Sequence, residues 1–335
     1  MRCAVFGAGS LGTVLGAYLS KANVPVDLIS RNRDHIIALR KGGAHITGKA
    51  EFTVPVTAML PEEMGAGYDI IILMTKCIEN DATVRFLQPK LTQNGVLCTC
   101  QNGLPEYGIA EIIGKERTYG CTIGWGARYL SPGVVELTTD ESTFTFSVGS
   151  LADGDQKKLE EIASIFSCMG QVEIEENFNG ARWSKLLINA SFSAVSALSG
   201  EPFGVVAENW RSRRIIQSIM KECVDVAMAS GVKLAPMQGR NIALLADYSN
   251  PFKKFFSFMI IPIVMRKHRL TRSSMLQDIE RGKPTEIDAI DGSLSEAGRR
   301  VGVQTPVTDR TIEIIHAISE GKLSPSLDNL ALYRA

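Results

Sequence analysis

A chain of 335 residues is longer than one core of common size and predicts two domains. Hydrophobic residues at 45% and charged residues at 21% are ordinary for a globular protein. The 36 basic and 36 acidic side chains cancel, so the balance gives no reason to expect nucleic acid or an anionic membrane as partner.

The first 180 residues alternate between short apolar runs and helical spacing. Cys3–Phe6 reads as a strand, Leu11–Leu19 as a helix and Pro25–Ile29 as a second strand. Asp69–Met74 is a continuous apolar run, as expected of a strand buried on both faces of a parallel sheet. Val96–Cys100 follows an Asn94-Gly95 turn and reads the same way. This alternation predicts a doubly wound α/β fold. Between 117 and 150 the pieces become β-rich and are divided by Pro132-Gly133 and Asp140-Glu141, which predicts antiparallel hairpins extending the sheet. A helix near 155–168 and a strand at Val172–Ile174 complete the domain.

From about Gly180 the pattern is helical. Ala181–Leu198 reads as one amphipathic helix and 204–230 as a second periodic segment. A third helix is expected to start near Thr285, capped by the Thr285/Asp288 spacing, with Ile287, Ile290 and Leu294 as its apolar stripe. The fold expected is therefore an α/β Rossmann-type domain over 1–178 followed by an all-α domain over 179–335.

Seven scattered cysteines with no C-x-x-C pair argue against a disulfide framework or structural zinc, and the four histidines show no metal-ligand spacing. No metal is expected. The chain start lacks the n-region and cleavage site of a signal peptide. The longest apolar stretch, Phe255–Met265, is too short to span a bilayer and is interrupted by Pro262. The expected compartment is a reducing cytoplasm, with no membrane partner.

Gly7-Ala8-Gly9-Ser10-Leu11-Gly12 is G-x-G-x-x-G, placed directly after the first strand and opening a helix. Gly7 permits the tight turn, Gly9 lets backbone approach a pyrophosphate, and Gly12 lets helix and strand pack closely. The diphosphate of a dinucleotide then lies against the N–H groups and positive dipole end of the helix. An NAD enzyme usually carries Asp or Glu at the end of the second strand. Here that strand ends Ser30-Arg31-Asn32, and Arg31 offers a permanently charged fork for a 2′-phosphate, with Ser30 or Asn32 assisting. NADP(H) is the cofactor this predicts. Asp27 lies inside the strand.

Two polar positions just past apolar strands, Lys76 and Asn102, fall at the sheet edge where open α/β sheets bind ligands. In Trp183–Asn189, Lys185 and Asn189 stand at i and i+4 on one helix face, and Ser193 continues the row. A lysine facing an enclosed cleft can protonate a carbonyl oxygen as hydride reaches carbon; spacing alone leaves open a solvent-facing stripe. Glu286 falls in the first turn of the third helix, where the dipole favours an acid in any case.

Together these motifs resemble the ketopantoate reductases (2-dehydropantoate 2-reductases). GAGSLG, Lys76 after DIIILMT, QNG at 101–103, WSKLLINA at 183–190, SSMLQDI from 273 and TEIDAIDG to 292 occur in family order. The resemblance implies a Rossmann-type domain, a helical domain and a site in the cleft between them, reducing 2-dehydropantoate to pantoate with NADPH in pantothenate synthesis. By matching position it implies Lys185 as general acid and Glu286 as acceptor from the substrate hydroxyl. Asn189 and Ser274 would contact substrate, with Ser193 one turn on. Asn102 would hold the nicotinamide ribose, with Lys76 close by. Two departures stand out. Ser193 replaces a second asparagine common in the family, and Asn250–Arg272 is longer and more apolar than usual. That segment could cover the cleft or form a homodimer contact. Either change could alter which small-molecule 2-oxo acid fits. A related reductase of another 2-oxo acid is one alternative. A non-catalytic NADP(H) sensor is a second, against which the joint presence of Lys185, Asn189 and Glu286 speaks.

Overall fold

In the computed structural model, which describes residues 1–152, 155–237, 241–246 and 250–333, the apolar runs of the first half pair as parallel strands. The chain divides into two units, Met1–Gln101 with Pro105–Phe178, and Asn102–Leu104 with Asn179–Ala335.

The first unit runs β1 (Cys3–Phe6), α1 (Ser10–Lys21), β2 (Val26–Ile29), α2 (Arg33–Gly42), β3 (Ala44–Gly48), β4 (Phe52–Val54), β5 (Thr57–Met59), β6 (Tyr68–Leu73) and α3 (Asn80–Leu87). It continues with β7 (Leu91–Thr99), α4 (Pro105–Ile113), β8 (Thr118–Ile123), β9 (Ala127–Ser131), β10 (Val134–Leu137), β11 (Thr145–Ser150), α5 (Gln156–Ser167) and β12 (Gln171–Ile174). Eight strands form the main sheet in the order β12-β11-β8-β7-β6-β1-β2-β5. From β5 to β8 neighbouring strands pair in parallel; β11 turns antiparallel to β8. The central strands are buried on both faces: Ile70, Ile71, Ile72 and Leu73 are all fully covered. That burial is what selects an unbroken apolar run over an alternating one.

Two expectations need correction here. The β-rich stretch does not all extend the main sheet. β9 and β10 form their hairpin at Gly133 but join β3 and β4 in a separate sheet ordered β4-β3-β10-β9. Asn94-Gly95 does not precede its strand. β7 already begins at Leu91, and its pairing with β6 jumps from Tyr68↔Leu91 to Ile70↔Val96, so the Asn-Gly pair sits in a bulge.

The second sheet explains the composition of α1. This helix packs on the main sheet through β1 and β2 and on β3, β4, β9 and β10 through its other side. Gly12 to Leu19 are consequently buried without a break. A helix covered all round loses the polar face that ordinarily marks it in sequence. Buried His35 fastens this layer: Gly133 N donates to its Nδ1 at 3.0 Å, so the ring proton is on Nε2 and is given to Thr13 Oγ1 at 2.9 Å. Burial lowers the pKa of His35 and keeps the ring neutral in that role.

The second unit is helical: α6 (Phe178–Ile188), a π-helical turn (Asn189–Ser193), α7 (Ala194–Ser199), α8 (Phe203–Glu208), α9 (Trp210–Ala229), α10 (Pro251–Val264), α11 (Ser274–Glu280), α12 (Ile287–Val301) and α13 (Pro306–Ser319). The helix expected over 181–198 is thus interrupted. The segment 204–230 is two helices, because Asn209 leaves helical geometry and caps α9 through its side chain. No helix among the described residues is long and apolar enough to cross a membrane.

Two acids are buried among the described residues of this unit. Glu222 of α9 serves as a cap in trans for α13, accepting from Val307 N (2.8 Å), Thr308 N (2.9 Å) and Thr308 Oγ1 (2.6 Å). α13 has no side-chain cap of its own, so a carboxylate at its positive end is well placed. Asp291 of α12 is fully buried, and neither carboxyl oxygen has a partner among the described residues. Burial, then the like charges of Asp288 and Glu222, push its pKa well above 3.8. A carboxyl whose folded pKa is raised keeps full stability below its unfolded pKa and loses it as pH climbs toward the folded value. Asp291→Asn, neutral at every pH, is therefore expected to stabilise the fold by about 1–3 kcal/mol at pH 8 and to give no gain at pH 4. Thermal melts across that range check the slope; a variant less stable at pH 8 than the parent would overturn it.

Candidate functional site

The glycine loop is built as its spacing requires. Gly7 turns with φ +109°, and a Cβ there would lie 2.5 Å from Thr75 N, just past the end of β6. A Cβ on Gly12 would lie 2.3 Å from Gly7 O and 3.1 Å from Val5 Cγ1, so α1 can approach β1 only without a side chain at this point. Gly9 is different: a Cβ there would meet nothing within 4 Å. Packing does not demand its glycine, and the open space beside it is a place where a ligand can touch backbone. Ala8 is fully buried and its amide, like that of Gly7, donates to Ile29 O (2.8 and 2.9 Å). Ser10 and Leu11 open α1, which has no side-chain cap and no acid in its first turn. These residues fit the diphosphate of a dinucleotide, which needs uncapped amides and no competing carboxylate.

At the end of β2, Arg31 is largely exposed and its Nη1 donates to Glu79 Oε2 at 3.0 Å. Ser30 and Asn32 are already engaged. Asn32 Oδ1 caps α2 by accepting from His35 N (3.1 Å), and Asn32 N donates to Ser30 Oγ (3.2 Å). Asp27 faces the other end of the strand, where it accepts from Tyr68 Oη (2.7 Å) and Arg2 (3.1 Å). Among the described residues the end of β2 itself carries no acid, and Arg31 stands there paired with Glu79 from the turn after β6.

Lys76 follows β6 in an exposed turn. Gln101, quoted in the sequence only as part of a motif, is the residue that organises this edge. Buried at 4% exposure, it accepts from Thr99 Oγ1 (2.9 Å) and donates to Thr75 Oγ1 (3.2 Å) and Asn80 Oδ1 (2.9 Å). It ties the loop after β7 to the loop after β6, a role its side-chain amide could have suggested in the sequence. Asn102 comes next in the chain, half-buried. Gly103 packs within the second unit so closely that a Cβ would lie 2.1 Å from Ala289 O on α12.

In the helical unit α6 is anchored by buried Trp183, Leu186 and Leu187, and by Ser184 Oγ, which donates to Ala235 O at 2.6 Å. Lys185 lies half-buried among these fixed neighbours. The π-helical turn begins at Asn189. It widens the helix, and Ser191 Oγ takes up the Leu187 carbonyl at 2.6 Å. Such turns recur at functional sites because they re-aim side chains. Ser193 is therefore not in simple α-helical register with Lys185 and Asn189. Its carbonyl accepts from Ser273 Oγ at 3.1 Å, and Ser273 also caps α11 by accepting from Leu276 N. Buried Ser273 is thus a structural cap, and exposed Ser274 begins the helix. The π-turn packs against α9, α11 and α12. Asn189 and Ser193 are so gathered with the helices that start at Ser274 and just after Glu286.

The Thr285 cap does not form. α12 starts at Ile287, and Glu286 itself occupies the N-cap position with φ −98° and no side-chain capping bond. Glu286 is half-buried.

A parallel sheet with this glycine loop, joined to a helical unit carrying these polar groups, defines a dinucleotide-binding oxidoreductase of the NAD(P) class. Residues 3–150 match the family model described as ketopantoate reductase PanE/ApbA, and 177–319 match its C-terminal counterpart. The chain belongs to the ketopantoate reductase family. It is 29% identical over 313 residues to 2-dehydropantoate 2-reductase of Pyrococcus horikoshii, covering 92% of this chain and 94% of that one. Among solved structures it is similar to 2-dehydropantoate 2-reductase from Geobacter metallireducens (25% identity, TM-score 0.76, 94% and 99% of the two chains). It shares its fold with D-mandelate dehydrogenase in complex with NADH and anilino(oxo)acetate (22% identity, TM-score 0.80, 96% and 99%).

Proposed function

We propose that this chain reduces 2-dehydropantoate to pantoate with NADPH, in the cytoplasmic synthesis of pantothenate. Family membership supports the reaction class. The observation that carries the reading furthest is the π-turn at Asn189–Ser193, packed on the helices that begin at Ser274 and beside Glu286.

Bound NADPH supplies the hydride to the C2 carbonyl carbon. Lys185 gives its proton to the carbonyl oxygen as that oxygen becomes an alkoxide. Glu286, at the start of α12, accepts from the substrate hydroxyl. Asn189 and Ser193 position the substrate, and Ser274 binds near its carboxylate at the N-terminus of α11. Asn102 holds the nicotinamide ribose, with Lys76 close by. Gly7, Ala8, Gly9, Ser10, Leu11 and Gly12 hold the diphosphate, and Arg31 exchanges Glu79 for the 2′-phosphate. That exchange is favourable because an exposed ion pair is worth little against bidentate contact with a dianion.

NADPH oxidation with a panel of 2-oxo acids tests the substrate. The expected outcome is a kcat/KM for 2-dehydropantoate at least tenfold above that for any aryl 2-oxo acid. The shared fold of D-mandelate dehydrogenase, solved with NADH, favours one second reading: an aryl 2-oxo acid reductase using NADH. The same panel with both nucleotides separates them. Arg31→Ala is expected to raise the Kd for NADPH about tenfold or more, since charge-assisted hydrogen bonds contribute about 1.5–3 kcal/mol, and to leave NADH within about twofold. Equal losses for both nucleotides would remove Arg31 from recognition of the 2′-phosphate.

A further inference from the structure

One ion pair joins two segments at the ligand-binding edge of the first unit. β1 lies between β2 and β6 in the main sheet, and the glycine loop continues from β1. Arg31 follows β2 and Glu79 follows β6, so their pair links the two segments that flank this loop. Arg31 Nη1 donates to Glu79 Oε2 at 3.0 Å, and the side chains are 74% and 62% exposed. Glu79 ends the short turn Cys77–Glu79 and stands at the N-cap position of α3 with φ −127°. Its side chain makes no capping bond there and is turned to Arg31. An exposed pair of this kind contributes little to stability, so its main effect is on a third charge brought to the site.

We propose that Glu79 limits the preference of this chain for NADPH over NADH, by competing with the 2′-phosphate for Arg31 and by repelling that phosphate once it is bound. The inference rests on the reading of Arg31 as the 2′-phosphate ligand. Exchange of partners takes the guanidinium from Glu79 but leaves the carboxylate in place on the turn after β6. A phosphate set beside a carboxylate meets like charge. NADH carries a hydroxyl where NADPH carries the phosphate. It leaves the ion pair intact, and a carboxylate can accept from a ribose hydroxyl, the contact that ordinarily marks an NAD site. The two side chains therefore act in opposite directions, Arg31 for NADPH and Glu79 against it. Glu62 provides an internal comparison. It is equally exposed, at 62%, and lies in the turn after β5, where it accepts from Arg33 at 3.3 Å. Arg33 is two residues from Arg31, yet among the described residues Glu62 makes no ion pair with Arg31 itself.

Fluorescence titration with NADPH and with NADH gives both Kd values without turnover. Glu79→Gln keeps the size of the side chain and removes its charge. It is expected to tighten NADPH about threefold or more and to leave NADH within about twofold, with an unchanged melting temperature. The gain is expected to shrink between about 0.1 and 1 M salt, over which the screening length falls from about 10 to about 3 Å. Glu62→Gln is expected to change neither Kd. Unchanged or weaker NADPH binding by Glu79→Gln overturns the proposal, and so does equal tightening of both nucleotides. An equal gain in Glu62→Gln would trace the effect to net charge and overturn it as well. Arg31→Ala separates the proposal from the reading beneath it. If that variant weakens NADPH alone while Glu79→Gln changes nothing, only the role of Glu79 falls. If it weakens both nucleotides equally, both fall.

Discussion

Lys185→Ala is expected to lower kcat by about 10²–10⁴, while NADPH binding persists. Reduction of a 2-oxo acid leaves negative charge on the former carbonyl oxygen. A positioned acid removes that charge in the transition state, which corresponds to roughly 3–5 kcal/mol of barrier. Position is what α6 supplies: Trp183, Leu186 and Leu187 are buried on the same helix, and Ser184 Oγ donates to the Ala235 carbonyl, so the backbone that carries Lys185 is fixed. Lys185→Arg separates charge from acidity. A guanidinium keeps the charge but does not give up its proton near neutral pH, so kcat is expected to stay low. Stopped-flow turnover with a separate fluorescence titration of NADPH distinguishes the steps. Near-normal kcat in the alanine variant would remove Lys185 from the mechanism, and lost NADPH binding would place the defect elsewhere.

Substitutions in the glycine loop are expected to divide by cause. Gly9→Ala should fold with an unchanged melting temperature, because its methyl meets nothing within 4 Å, yet should weaken NADPH at least tenfold. The added carbon occupies the space through which a diphosphate reaches backbone. Gly12→Ala should damage both properties. Its methyl would stand 2.3 Å from the Gly7 carbonyl, so α1 must shift from β1, carrying the loop with it. Overpacking of this kind typically costs about 1–3 kcal/mol. Melting temperature and nucleotide titration, measured on both variants, give the comparison. A Gly9→Ala protein that binds NADPH normally would mean that the diphosphate does not lie against this residue.

How far the site could be read in advance varied with the kind of residue. Glycines, and a lysine in a fixed motif, carry their constraint locally: the backbone at Gly7 or the packing at Gly12 depends on a few neighbours in the chain. Gln101 did not stand out, because its work is to join two loops that only adjacent strands bring together. Ser273 and Ser274 look interchangeable in sequence, and only the fold makes one a buried cap and the other an exposed first-turn residue. Asn32 looked available to a ligand and is spent on α2. Thr285 looked like a cap and is not one, which leaves Glu286 at the helix start.

By itself the sequence determined the order of the first strands and helices, the glycine loop and the change to helix near residue 180. Each of these is written in local periodicity, and burial of β6 and β7 on both faces makes that periodicity unmistakable. Tertiary structure alone decided that β9 and β10 leave the main sheet to cover α1. Strand pairing joins residues far apart in the chain, and no short-range pattern encodes which edge a hairpin will find. It alone decided that the helix beyond Lys185 widens at Asn189, since neighbouring helices can override the intrinsic preference of one turn. It alone showed the apolar run of α10 turned outward. Hydrophobicity predicts that a side chain seeks cover, and only the packing of its neighbours says whether cover is already there.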